Sequence, residues 1–443
     1  MNIIKPSTIA GVMELLPEDQ LVFDNIKNTI ENTFKEYGFS SIDTPVIEKN
    51  EILFAKGGGE TEKQIFEIAS ESKDMSLRFD LTVPLARYVS EHFSDLNFPF
   101  KRYQIAKVYR GERNQKGRYK EFYQADIDII GHNDLSIYND ALLAFVIYKA
   151  FERLDFPGVT FHINNRKLLN GFFASLDIED TTEVLRTIDK KDKIGSEKTL
   201  ELLTEIIGTE KASQTIEFTQ NPANGNDLLE DLAKFDGNDL YKEGLEELKI
   251  VYDYMLAFGV PVENIKIDLA ITRGLDYYTS TVYETFINGY ESIGSVCSGG
   301  RYENLASNFS KQSLPGVGMS IGITRLFYQF QELGLVSNLQ EGNTEVLVLP
   351  MDPDQHSYAI EVLKKLKDMG KKADIYLETG KFKKKMNYAD KVGAKYTIII
   401  GEQEAKNNEV SIKNMETGEQ INQKIDQINF GNWFPSKILL YYY

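Results

Sequence analysis

The segment Arg273-Gly274-Leu275-Asp276-Tyr277-Tyr278-Thr279-Ser280-Thr281-Val282-Tyr283-Glu284 sets a cation, an acid and two adjacent phenols beside an alternating, strand-like run. Guanidinium groups offer paired donors to anions, and phenols offer a ring face with a polar tip, so this cluster suits a polar aromatic ligand next to an anion. Other stretches carry comparable chemistry: Tyr109-Arg110-Gly111-Glu112-Arg113, then Gly117-Arg118-Tyr119-Lys120-Glu121-Phe122-Tyr123-Gln124, and later Cys297-Ser298-Gly299-Gly300-Arg301-Tyr302. Gly316-Val317-Gly318-Met319-Ser320-Ile321-Gly322 leads into a helical pattern that carries Arg325. By contrast, Gly57-Gly58-Gly59-Glu60-Thr61-Glu62 lacks the lysine of a phosphate-binding P-loop and reads as a loop near the site.

These residues need strands to hold them. Residues 101–110 and 120–130 read as two strands joined by a polar, glycine-bearing loop over 111–119, the pattern of an antiparallel hairpin. Strand alternation places Arg102, Gln104, Ala106, Val108 and Arg110 on one face of the first strand. It places Phe122, Gln124, Asp126, Asp128 and Ile130 on one face of the second. Either a binding surface or a solvent-facing sheet gives this pattern; periodicity alone favours the solvent-facing sheet, and the surrounding motifs reverse that preference.

Around the hairpin, Val22, Phe23, Ile26, Ile30, Phe34 and Tyr37 recur every three or four residues from Pro17 until Gly38, which predicts an amphipathic helix. A strand containing Ile42, Pro45 and Ile47 is expected next. Charged helical stretches fill about 165–255, an apparent helical insertion, and strands are expected at 265–271 and 279–286. A polar connector over 337–344 precedes alternating strand and helix signals, with strands at 345–350, 373–377 and 396–401. That alternation marks a small α/β domain with a partly parallel sheet. The expected organisation is a first domain over 1–335 and a second over 344–443.

At 443 residues the chain exceeds one ordinary hydrophobic core. No apolar run reaches the roughly 18 residues that suggest a membrane span, and the amino terminus does not read as a secretion signal, so a cytoplasmic location is expected. The single cysteine, Cys297, excludes an internal disulfide and reads as a small buried apolar residue; the four histidines show no metal-ligand spacing. Net charge is −17, which taken alone opposes nucleic-acid binding. Its distribution is uneven: residues 344–443 hold 15 Lys+Arg and 14 Asp+Glu, leaving 35 and 53 in residues 1–343. Polyanion contact should therefore lean on the nearly neutral carboxyl-terminal part and on basic strips such as Lys381-Phe382-Lys383-Lys384-Lys385-Met386-Asn387-Tyr388, which a solvated helix face explains about as well.

Taken together, the stretches around Arg110, Arg273, Gly299 and Arg325 resemble the histidyl-tRNA synthetases, a family of class II aminoacyl-tRNA synthetases. The resemblance implies an α/β fold with an α+β catalytic domain: an antiparallel sheet flanked by helices, interrupted by a helical insertion and followed by a C-terminal α/β anticodon-binding domain. It implies that Arg110 holds the ATP α-phosphate, Glu112 contacts the adenine amino group, Phe122 stacks on adenine, Arg118 reaches the outer phosphates and Arg325 grips the γ-phosphate. Arg273 supplements phosphate stabilisation near the reacting carboxylate, which makes Arg110 and Arg273 the catalytic pair. For histidine, Asp80, Thr82 and Gln124 are the implied partners of the α-amino group. Asp128 and Tyr278 are implied at the imidazole, with Arg273 and Tyr277 completing the pocket. Gly299-Gly300-Arg301-Tyr302 resembles a second histidine motif, although Glu303 and Asn304 stand where the family has Asp and Gly. Pro45 corresponds to a proline at a dimer interface, so a homodimer is expected.

The reaction implied is ligation of histidine to tRNA(His) through a histidyl-adenylate, with ATP as substrate and Mg2+ on its outer phosphates. A substrate carboxylate is already ionised at neutral pH, so alignment and charge stabilisation should suffice without a protein base. The insertion is expected to embrace the acceptor arm of the tRNA. Two other readings stand beside this one: a non-catalytic relative that regulates ATP phosphoribosyltransferase, and a synthetase for another amino acid. The first tends to lose the arginines or the terminal domain that this chain keeps, and the second is opposed by the Tyr277-Tyr278 and Gly299–Tyr302 segments.

Overall fold

The computed structural model describes residues 3–56, 63–69, 74–112, 117–154, 157–271, 278–303, 306–335 and 343–428. Expectations that fall on Gly57 to Glu62, Arg273, Tyr277 and Asn304 lie outside the described residues. The chain divides into two compact units, Met1–Leu15 with Phe23–Asn338, and Leu16–Val22 with Leu339–Tyr443.

The first unit is built on an eight-stranded sheet. Its antiparallel centre runs, in spatial order, Phe100–Tyr109, Glu121–Ile130, Gly316–Gly322, Cys297–Tyr302, Thr281–Ile287 and Val159–Asn165. Short parallel strands close the edges: Ser40–Ser41 beside Phe100–Tyr109 and Ile265–Ile267 beside Val159–Asn165. Nearly 200 residues separate Gln124 from its partner Gly322 on the next strand, so the sheet order gathers segments that the sequence scatters.

Alternation then decides the two faces. Tyr103, Ile127, Ile129, Val317, Ile321, Ile163 and Tyr283 are buried on the face that the helices cover. Helix Pro17–Glu36 sets Phe34 against Tyr103 and Phe23 against Tyr123, and Phe23 also meets Phe327 of helix Ile323–Glu332. Removing each such side chain from water contributes about 1.5–3 kcal/mol. The same face holds Arg301, whose Nε and Nη2 reach Asp140 of helix Tyr138–Arg153, with Nη2 2.6 Å from Oδ2. Its Nη1 donates to the Leu135 carbonyl and its Nη2 to that of Ser136. Burial and these contacts assign Arg301 to tying sheet to helix.

Helices run from Arg166 to Phe258 in the region read as an insertion. The first and last of them, Arg166–Ser175 and Asp239–Phe258, cross at glycines: a Cβ at Gly244 would lie 2.2 Å from the Leu168 nitrogen, and one at Gly171 2.4 Å from the Tyr241 nitrogen. Side-chain oxygens of Asn165 and Asn238 cap their amino ends.

The second unit has a five-stranded sheet in the order Ala373–Ile375, Val346–Pro350, Tyr396–Ile400, Glu409–Asn414, Gln420–Lys424. The first three run parallel and the last two add antiparallel. Val346, Val348, Ile398 and Ile400 pack against Ala359, Val362 and Leu366 of helix His356–Asp368, and Leu347 and Leu349 pack on the other side with Ala389. A core on both faces explains the near-continuous apolar runs in these strands.

Several expectations change. The strand sought across Ile42, Pro45 and Ile47 becomes two short ones, Ser40–Ser41 and Ile47–Lys49, because Pro45 has no N–H to donate and the Thr44 carbonyl is taken by Arg78 Nη1. The strand expected over 265–271 stops at Ile267, where the Asp268 carboxylate accepts from the Ala270 N–H and turns the chain. The strand expected over 373–377 ends at Ile375. In the basic strip, Lys385 is buried: its ammonium donates to the carbonyls of Pro350 (2.5 Å) and Met351 (3.1 Å), and burial lowers its pKa. The exposed charge of that helix, Phe382–Lys391, is correspondingly smaller than its sequence suggests.

Candidate active site

Register places the chemistry. Arg102 lies directly opposite Asp128, Gln104 opposite Asp126, Ala106 opposite Gln124 and Val108 opposite Phe122. On the next strand Gly318 faces Asp128, Ser320 faces Asp126 and Gly322 faces Gln124; beyond it Gly300 and Ser298 continue the first two rows, followed by Val282 and Glu284 and then Asn164 and His162. Arg102, Gln104, Asp126 and Asp128 are 0%, 1%, 4% and 3% exposed, so this polar face is not a solvent-facing sheet surface. Buried polar groups of this density require partners.

At one end stand the acids. Arg102 Nη2 lies 2.6 Å from Asp128 Oδ2, and the Tyr302 hydroxyl donates to Asp128 Oδ1 at 3.0 Å. The Arg102 contact is an ion pair without hydrogen-bond alignment, and its guanidinium nitrogens make no hydrogen bond among the described residues. Asp80, just before helix Thr82–Glu91, accepts from the Val83 N–H at 3.1 Å through Oδ1. Burial raises the pKa of Asp80, Asp126 and Asp128, opposed chiefly by the Val83 N–H and Arg110 at Asp80 and by Arg102 at the other two, and Asp126 reaches about 7. Three buried carboxyl groups thus lie in the field of Arg102, an arrangement receptive to a further cation.

The floor between them is glycine. A Cβ at Gly318 would sit 2.0 Å from Asp128 Oδ1, one at Gly300 2.9 Å from the Tyr278 ring, and one at Gly316 2.5 Å from the Tyr302 ring. Two phenols and a carboxylate therefore lie directly on backbone. Gly318→Ala should push the Asp128 carboxylate off its place and lower stability by roughly 1–3 kcal/mol, read as a reduced thermal midpoint.

At the other end stand the cations. The Arg110 guanidinium lies over the Phe79 ring at 4.4 Å and the Phe122 ring at 5.1 Å, and its Nε donates to the Phe79 carbonyl at 3.2 Å. Arg118 pairs with Glu112 at 3.2 Å on the half-exposed hairpin loop. Arg325 Nη2 donates to the Ile293 carbonyl at 2.7 Å; burial and the nearby Arg118 lower its pKa, while Glu284 and Glu112 oppose them. Two guanidiniums from segments 200 residues apart are held within each other's field, a place suited to a polyanion.

The structure thus brings together Asp80, Thr82, Gln124, Asp128 and Tyr278 with the acids and the glycine floor, and Glu112, Arg118 and Arg325 with one another. Arg110 and Phe122 stand together beside Phe79. Sequence reading did not assign Arg102 as the counter-ion of Asp128, nor Tyr302 as its hydroxyl donor, nor Ser320 a role. The signal for the first was available in the hairpin alternation, since a tight register pairs positions 102 and 128. The others needed the order of strands.

Comparison with known proteins identifies the family. The family model "Histidyl-tRNA synthetase" matches residues 11–326, and "Anticodon binding domain" matches 345–430. A histidine--tRNA ligase of Clostridium tetani is 53% identical over 96% of this chain and 98% of its own length, and one of Finegoldia magna is 53% identical over 96% and 99%. The crystal structure of histidyl-tRNA synthetase from Nostoc sp. PCC 7120 superposes with a TM-score of 0.88 at 36% identity, covering 96% of this chain and 98% of that one. With a buried acid and phenol pair at one end of a class II antiparallel sheet and clustered arginines at the other, the chain belongs to the histidyl-tRNA synthetase family.

Proposed function

We propose that the two ends of this polar face divide the substrates, histidine at the acids and ATP at the arginines, with the reacting groups meeting between them. The chain ligates L-histidine to tRNA(His) at the expense of ATP, through a histidyl-adenylate. The observation that carries the division is the shared register, which sets Asp128 with its Arg102 and Tyr302 partners on the same sheet face as Phe122, three rows away.

In this reading Asp80, Thr82 and Gln124 accept the α-ammonium, whose three N–H donors need acceptors. Asp128 and Tyr278, with Tyr277, meet the imidazole. A site that hydrogen-bonds a ring from both ends rejects amino acids lacking it by roughly 10⁴–10⁵, which removes the need for proofreading. Arg110 holds the α-phosphate and Phe122 the adenine ring, with Glu112 at the exocyclic amine; Arg118 and Arg325 hold the outer phosphates. Arg273 completes the charge stabilisation beside the substrate carboxylate. Magnesium is held chiefly by phosphate oxygens and water, and Glu284, in the field of Arg325, is a carboxylate suited to meet an ion carried on the triphosphate. Its contribution would be to offset phosphate charge.

The domain reading goes with the function: residues 1–335 form the catalytic domain, the helices within about 165–255 embrace the tRNA acceptor arm, and residues 344–443 read the anticodon. Two copies pair through the region of Pro45, with Val46 and Ile47 exposed beside it. Among the described residues no helix is long and apolar enough to cross a membrane. Histidine-dependent exchange of pyrophosphate into ATP tests the reading. Exchange should require histidine and no other amino acid; absence of exchange with histidine would overturn it. Sedimentation at micromolar concentration should give twice the chain mass of 50.5 kDa.

A further inference from the structure

We infer that Ser320 and Asp126 are positioning residues that set which end of the Gln124 carboxamide faces the amino-acid pocket. The inference rests on the reading that Gln124 meets the substrate α-ammonium.

Gln124, Asp126 and Ser320 share adjacent rows of the polar face. Gln124 Nε2 donates to Ser320 Oγ at 2.8 Å, and Ser320 Oγ donates to Asp126 Oδ1 at 2.5 Å. A serine hydroxyl has one hydrogen and can spend it once. With that hydrogen on the Asp126 carboxylate, the oxygen can only accept, so the amide must turn its NH2 toward Ser320. Its Oε1 is thereby left over, and that atom is buried with no hydrogen-bond partner among the described residues. An unpartnered buried acceptor is the feature an ammonium group would satisfy.

The polarity of the chain depends on the charge of Asp126. As a carboxylate it accepts from Ser320. As a neutral acid it can donate to Ser320, whose hydrogen is then free to seek the amide oxygen; the NH2 would swing toward the pocket and oppose a cation. The groups around Asp126 hold this balance. Arg102, from the neighbouring strand, favours the carboxylate; Asp128 on its own strand and Asp80 before the Thr82–Glu91 helix oppose it. Gln104 lies directly opposite, and Arg78 and the Cys297 thiol, the latter on the opposite face of the sheet beside Ile321, are within its field. Burial dominates and lifts the Asp126 pKa to about 7. Protonation therefore increases as pH falls through 7, and histidine affinity should weaken in that direction.

The test is the KM for histidine in pyrophosphate exchange between pH 6 and 8.5, measured on the full-length chain and on Ser320→Ala, Ser320→Thr and Gln124→Ala. Ser320→Ala should raise the histidine KM about tenfold at pH 8 with kcat and the ATP KM within about twofold, and Ser320→Thr, which keeps the hydroxyl, should restore most of the loss. The ratio of KM between Ser320→Ala and the parent cancels the titration of histidine itself, and it should shrink toward pH 6 as the parent's relay reverses. A Ser320→Ala KM equal to the parent's while Gln124→Ala raises it would overturn the relay and leave the ammonium reading standing. A Gln124→Ala KM equal to the parent's would overturn both.

Discussion

Replacing Arg110 with alanine should slow histidine-dependent pyrophosphate exchange by roughly three orders of magnitude while leaving the fold intact. A guanidinium about 4 Å from a phosphate charge interacts by about 4 kcal/mol at an effective dielectric near 20, and about 1.4 kcal/mol is a factor of ten in rate. Arg110 meets the structural requirement for delivering that energy. Its guanidinium rests against the Phe79 and Phe122 rings, with Nε anchored on the Phe79 carbonyl, so little ordering remains when nucleotide arrives. Arg110→Lys should recover only a small part of the rate, since an ammonium neither stacks on a ring nor offers paired donors. Single-turnover adenylate formation, measured alongside circular dichroism to check folding, decides the matter. A loss below about tenfold would show that Arg110 does not touch the phosphate undergoing attack.

The second large effect concerns stability. Arg102→Met should destabilise the first unit by about 3–5 kcal/mol, because it strands the Asp128 carboxyl in a buried site beside Asp126 and Asp80. The loss should depend on pH. Arg102 is the main attraction that holds Asp126 and Asp128 down, and without it their folded pKa values rise further above the unfolded ones. An acid with a raised folded pKa binds more protons folded than unfolded in the window between the two values, so stability falls as pH rises through it. For Asp126 that window already spans 3.8 to about 7 in the parent. The variant should therefore be most impaired near pH 8 and closer to the parent near pH 5, as read by urea unfolding at both. Arg102→Met combined with Asp128→Leu should regain much of the stability and none of the histidine affinity, which separates the structural from the binding share of the pair.

The hairpin illustrates how much was legible. Its strands, the loop between them and the residues on each face followed from alternation alone, and the amphipathic helix from Pro17 ends close to Gly38, whose φ of +79° suits glycine. Strands of three residues or fewer, such as Ser40–Ser41 and Ile265–Ile267, were overextended, because propensity says little about where a side chain such as Asp268 will turn the backbone. The antiparallel strands Glu409–Asn414 and Gln420–Lys424 were not foreseen: the second is largely exposed and polar, so it lacks the apolar signal that marked its neighbours. Lys385 shows the converse error, a charge assigned to the surface that the fold uses to satisfy two carbonyls.

The sequence by itself determined the chemical inventory: which segments carry guanidiniums, acids and phenols, which strand positions share a face, and, through resemblance, which family they belong to. Only the tertiary structure decided that Arg102 neutralises Asp128, that Tyr302 serves the same acid while its neighbour Arg301 turns to the helix layer, and that Ser320 links Gln124 to Asp126. The physical reason is that a strand's period is local, fixed by backbone geometry, whereas strand order is a long-range property. Segments 200 residues apart become neighbours only when the whole sheet forms, and it is their juxtaposition that sets burial, charge and hydrogen-bond polarity at the site.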